Sequence, residues 1–133
     1  MQFILRRAVE EAVLIQELEG TLGFALDRID GPPGTADALY RIERFGQGFA
    51  MYVAIYYNAN LRPLIDNVDA ARRLAKLSED AVLIDLPEDH QEHDIPGMWC
   101  MVEPNGKLFI MSEDDDNLSE GLVLLESSRR PLS

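Results

Sequence analysis

His90 and His93 stand three residues apart among Glu88, Asp89, Glu92 and Asp94, and they are the only histidines in the chain. Imidazoles and carboxylates in one stretch could ligate zinc or a related ion, provided a rigid element holds them at fixed spacing. This H-x-x-H follows Pro87 and has no apolar stripe to anchor it, so it reads as an exposed acidic loop. The run Glu113, Asp114, Asp115, Asp116 and Asn117 offers the clustered oxygen ligands that calcium takes. It lacks the glycine at the sixth position and the later bidentate glutamate of a calcium loop, and reads instead as a solvated turn after a strand.

Cys100 could act as a nucleophile only beside a base. The alternation of Met98, Cys100 and Val102 against Trp99, Met101 and Glu103 predicts a strand with the cysteine turned into the core. A lone cysteine closes no intramolecular disulfide, so nothing requires an oxidising compartment. Carboxylate pairs for acid and base chemistry abound in so acidic a chain, but no cleft-forming motif selects two of them. Gly31-x-x-Gly34 and Gly46-x-Gly48 are too short for a phosphate loop and read as turns. Tyr52 and Tyr56 share one side of a strand and are expected in the core. The sequence thus predicts no catalytic residue, no cofactor, and folding that needs no metal.

The formal net charge of −12 is unevenly placed. Residues 1 to 76 carry nine Arg or Lys against ten Asp or Glu, whereas between Leu77 and Glu126 fourteen acids face Lys107 alone. Such a field repels nucleic-acid phosphate and anionic lipid and speeds encounter with basic partners. It reaches about 8 Å at physiological salt. Direct nucleic-acid binding is therefore not expected. The longest apolar run, Phe49 to Tyr57, is strand-sized and far short of the roughly 20 residues that span a bilayer. Acidic Glu10 and Glu11 follow Phe3-Ile4-Leu5-Arg6-Arg7 at once, which does not match a secretory leader; the expectation is a cytoplasmic protein with no membrane contact.

At 133 residues and 47% apolar composition, one core is expected. Val9, Ala12, Val13, Gln16, Leu18 and Leu22 predict a first helix over about 8 to 20, closed by Gly20 or Gly23. After the turn at Asp30-Gly31-Pro32-Pro33-Gly34, strands over 39–45 and 49–57 form a hairpin, and the second, apolar on both sides, belongs inside a sheet. Asp66 caps a second helix over 67–78, with Leu64, Val68, Ala71, Leu74 and Ala75 as its buried stripe. Strands over 81–86, 98–103, 107–111 and 122–125 follow, the middle two joined by Pro104-Asn105-Gly106. The prediction is an α+β domain over 1–126, a mainly antiparallel sheet with two helices, and a flexible tail over 127–133.

From Asp69 to Met111, the helix Ala70-Ala71-Arg72-Arg73-Leu74-Ala75, the strand Ala81-Val82-Leu83-Ile84, the acidic loop, the aromatic strand and the Pro104-Asn105-Gly106 hairpin resemble small bacterial immunity proteins. The resemblance implies a cytosolic antidote to a toxin or secretion-system effector, with a basic protein domain as partner. The charge pattern would then place partner binding on Asp85, Glu88, Asp89, Glu92, Asp94 and Glu113, Asp114, Asp115, Asp116. Two alternatives stand beside it. One is a type III secretion chaperone, similar in size and acidity; the other is a small metal-dependent enzyme using His90 and His93. Pairing of two copies into a homodimer stays open.

Overall fold

The computed structural model describes residues 1–114 and 122–132. In chain order its elements are β1 (Gln2–Leu5), α1 (Glu11–Leu22), β2 (Leu26–Arg28), β3 (Ala38–Arg44), β4 (Met51–Tyr57), α2 (Asn67–Ser78), β5 (Val82–Ile84), β6 (Met98–Val102), β7 (Leu108–Glu113) and β8 (Leu124–Pro131). Among the described residues the strands form one sheet in the order β2-β3-β4-β1-β5-β6-β7-β8. Only the β2–β3 pair is parallel. The chain is therefore an α+β domain with a mostly antiparallel sheet, as its hairpin signals predict.

The firmest elements are those whose local chemistry and burial agree. Asp66 accepts the Asp69 N–H at 2.9 Å, which satisfies one of the donors a helix start leaves free, and α2 then runs over the expected residues. Its buried face is Leu74 with the small side chains Ala70, Ala71, Ala75 and Ser78, which let the helix lie close to the sheet. Leu64, expected at the head of that stripe, instead precedes the helix and is 72% exposed. α1 begins three residues later than its periodicity predicts, after a Glu10 cap that makes no side-chain hydrogen bond, and ends at Gly23 in the left-handed conformation. β4 lies between β3 and β1, inside the sheet as expected, with Met51, Val53 and Ile55 buried on one side.

Three elements differ from expectation. Phe3-Ile4-Leu5, weighed in the sequence only against a secretory leader, forms β1, which pairs with both β4 and β5. β2 is a three-residue strand with no periodic signal of its own. The tail expected over 127–133 is strand as far as Pro131: β8 pairs Ile110 with Arg130 and Phe109 with Pro131. Its polar sequence hides a bulge in which only Met111 of β7 lies between the paired positions that enclose Glu126 to Arg129 of β8. Ser128 bridges that bulge, its Oγ accepting the Ser112 N–H at 2.9 Å and donating to the Leu125 carbonyl.

Both faces of the sheet are apolar, but differently covered. Phe3, Leu5, Met51, Val53, Val82, Ile84 and Cys100 pack under the two helices. On the other face Ile4, Leu83, Met101 and Met111 lie with Phe49, and Leu122 and Leu124 pack against them. Phe49 N–H donates to the Leu122 carbonyl at 2.9 Å. That approach requires Gly48, whose φ is 67° and where an added Cβ would stand 2.1 Å from the Leu122 oxygen. At the β6–β7 turn Gly106 takes φ 86° and its N–H donates to the Glu103 carbonyl at 2.8 Å, the geometry Pro104-Asn105-Gly106 predicts.

Candidate protein-binding surface

Antiparallel pairing decides where the acids go. β5 stops, β6 starts and β7 stops at the same end of three neighbouring strands. Asp85 follows β5, the stretch from Glu88 to Asp94 lies in the β5–β6 connection, and Glu113 closes β7. The Glu113 N–H donates to the Gly97 carbonyl at 2.8 Å, which fastens the end of β7 to the end of that connection. Two acidic runs separate in sequence thus meet at one end of the sheet. Asp114 stands next to them, its N–H donating to the Val123 carbonyl at 2.8 Å. Asp115 and Asp116 lie outside the described residues.

These carboxylates are positioned by neutral donors more than by cations. Asp85 accepts from the Gln2 amide at 2.9 Å, and the Gln2 carbonyl accepts the Tyr52 hydroxyl at 3.0 Å. Glu113 accepts the Trp99 indole N–H at 2.9 Å. The Glu88 and Asp89 side chains make no hydrogen bond or ion pair among the described residues, and Asp94 meets only His93 Nδ1 at 3.2 Å. Glu92 is the exception, because Arg130 of β8 donates to it.

The histidines turn inward to their own loop. His90 Nδ1 accepts the Glu92 N–H at 3.0 Å while His93 faces Asp94, and consecutive tight turns carry the chain between them. Among the described residues no group of three or more His, Cys, Asp or Glu side chains could hold a metal ion. Cys100 is buried on β6, and burial pushes its thiol up to about 11, a small opposing pull coming from Arg72. At neutral pH it is a protonated thiol packed in the core. Tyr56 departs from its expected place: it is 45% exposed, opposite Leu39 of β3, whereas Tyr52 is half-buried beneath the Arg41 guanidinium.

A surface cleft of about 620 Å³ opens beside the acids, between the start of α2 and the end of β5. Asp85 and Glu88 reach it from the acidic run; Asp66 and Tyr57, which the sequence marks only as a helix cap and a strand residue, line it from the other side. No sequence signal joins these positions, since they meet only through the order β4-β1-β5.

Among the described residues no helix is long and apolar enough to cross a membrane. No protein-family model matches the chain, and neither the curated proteins nor the solved structures contain a match.

Proposed function

We propose that this protein is an immunity-type binding protein that captures a basic toxin or effector domain through the acidic end of its sheet. The observation that supports this reading is the gathering of Asp85, Glu88, Asp89, Asp94 and Glu113 at one end of β5, β6 and β7, where Asp85, Glu88, Asp89 and Glu113 have no ion-pair partner among the described residues. Like charges held together destabilise the compact state, and a basic partner removes that repulsion on binding. The same field steers encounter, so capture is fast and depends on salt. Its place of action is the cytoplasm, where a lone buried thiol needs no oxidising machinery.

Immunity genes lie beside the toxin genes they counter, so the partner to test is the product of the neighbouring reading frame. The chain is co-expressed with that product, and cell survival and complex formation are scored for the wild type and for Glu88→Lys/Asp89→Lys/Asp94→Lys. Glu92 is left intact because it pairs with Arg130. Protection and complex formation by the wild type, both lost in the triple variant, are expected. Equal protection by both proteins would remove this end from the interface.

A further inference from the structure

We propose that the cleft between α2 and β5 is an arginine-binding site, the anchor for a basic segment of the protein partner. The inference rests on the acidic end being a protein-binding surface, and it names what part of the partner this cleft takes. Its lining mixes polar and apolar surface, the apolar part coming from Tyr57, Pro63, Leu64, Ile65, Val68 and Leu86. Carboxylates of Asp66, Asp85 and Glu88 stand among them. A volume of about 620 Å³ lies within the roughly 300–1,000 Å³ of clefts that take small ligands, enough for a long side chain and its flanking backbone.

Leu64 marks the wall as unfinished. It is 72% exposed, more than any other large apolar side chain among the described residues. Its backbone is fixed, the N–H donating to the Leu22 carbonyl at 3.0 Å, and its side chain lies so close to Gly23 that a Cβ there would meet it at 2.6 Å. A leucine held at the lip of a cleft offers apolar surface to whatever enters.

The sign of the cleft follows from all the charges that face it. The start of α2 contributes roughly half a positive charge. The amino group of Met1 also lines the site; it donates to the Ile55 carbonyl at 3.2 Å, and its burial lowers its pKa below the ordinary value, against a smaller raising pull from Asp85. His93 lies on the β5 side, turned to Asp94. Asp66 is engaged with the Asp69 N–H, which offsets the helix end. Asp85 and Glu88 are left to set a negative potential beside the apolar part of the lining. Arginine fits this combination better than lysine: its stem packs on aliphatic walls, and its planar fork shares hydrogen bonds between carboxylates and stacks on an aromatic ring such as Tyr57.

The probe is a capped Gly-Leu-Arg-Leu-Gly peptide, titrated into isotopically labelled protein beside the same peptide with citrulline, which is isosteric and neutral. Amide shifts at residues 64–68 and 85–88 with the arginine peptide are expected, with affinity at least tenfold weaker for citrulline and for the Asp85→Asn and Leu64→Ser variants. Equal binding of both peptides, or shifts confined to other regions, overturns the site. In the partner complex, Asp85→Asn and Leu64→Ser should each weaken binding at least tenfold. If Asp89→Lys/Asp94→Lys, which lie outside the cleft, slow capture while the cleft variants bind as the wild type, the inference falls and the acidic-end reading stands. If the arginine peptide fills the cleft and no variant of either kind alters capture, the acidic-end reading falls and the anchoring role falls with it, leaving the cleft as an arginine-binding site alone.

Discussion

The two ends of the β5–β6–β7 sheet segment use charge in opposite ways. At the end where β1 stops and β5 starts, acids and bases are matched: Arg6 pairs with Asp80 at 3.3 Å, Arg7 with Glu79 at 3.8 Å, and Arg129 with Glu103 at 2.7 Å. At the other end Glu88, Asp89 and Glu113 meet neutral donors or none, and Asp85 accepts from the Gln2 amide with the half-buried Met1 amino group as its charged neighbour. One end is finished within the molecule, and its pairs are partly exposed and each worth about 1 kcal/mol or less. At the other, Asp85, Glu88, Asp89 and Glu113 make no ion pair among the described residues. The number of acids alone is therefore a poor guide, and what separates the two ends is whether each charge has a partner inside the molecule.

The largest expected effect lies at the matched end. Gly48→Ala forces a side chain into positive φ and against the Leu122 backbone, and should cost about 2–4 kcal/mol. At about 3–5 °C per kcal/mol, the midpoint of thermal unfolding should fall by roughly 10 °C. A midpoint unchanged within error would show that Leu122 does not close the second face.

Arg6→Ala should cost less, about 1–2 kcal/mol in urea unfolding, because one side chain pairs with Asp80, donates to Met101 Sδ at 3.2 Å and lies over the Phe49 ring. Asp89→Ala at the opposite end should leave stability within about 0.5 kcal/mol or raise it. If Asp89→Ala costs as much as Arg6→Ala, the contrast between the ends is lost.

How much of this contrast is legible in the sequence depends on what carries it. The excess of acids after Leu77 can be counted, and α2 can be read because cap, stripe and cationic last turn agree. The gathering of Asp85 with Glu113 cannot be read, since it follows from the register of β5, β6 and β7. β1 is invisible for another reason: four residues carry too little periodicity, and their burial comes from neighbours in β4 and β5 far along the chain. Glu92 reads as part of the free acidic surface, yet Arg130, in a stretch whose polarity imitates a tail, takes it. The cleft joins residues of five separate runs of the chain and leaves no local trace.

Salt offers a smaller effect that sharpens the comparison. Screening relieves repulsion at the unmatched end and weakens pairs at the matched one, so added sodium chloride should raise the wild-type midpoint by a few degrees. Glu88→Lys/Asp89→Lys/Asp94→Lys should flatten that rise; an identical salt response in both proteins would argue that the acids do not strain the fold. Smallest of all, Cys100 should resist thiol reagents at pH 8 in the native state and react at once in denaturant, as a buried thiol pushed up to about 11 requires. Because that folded-state value is raised from 9.0, the stabilising preference for the neutral thiol is complete below pH 9 and lost as pH rises through about 11.

The most direct test of the unmatched end is the rate at which the protein associates with the product of its neighbouring gene, measured by stopped flow from low to high ionic strength. The account predicts a wild-type rate constant that falls steeply with salt. For Glu88→Lys/Asp89→Lys/Asp94→Lys it predicts a slower rate with little salt dependence, and dissociation changed far less than association. The same rate and the same salt slope in both proteins would contradict it.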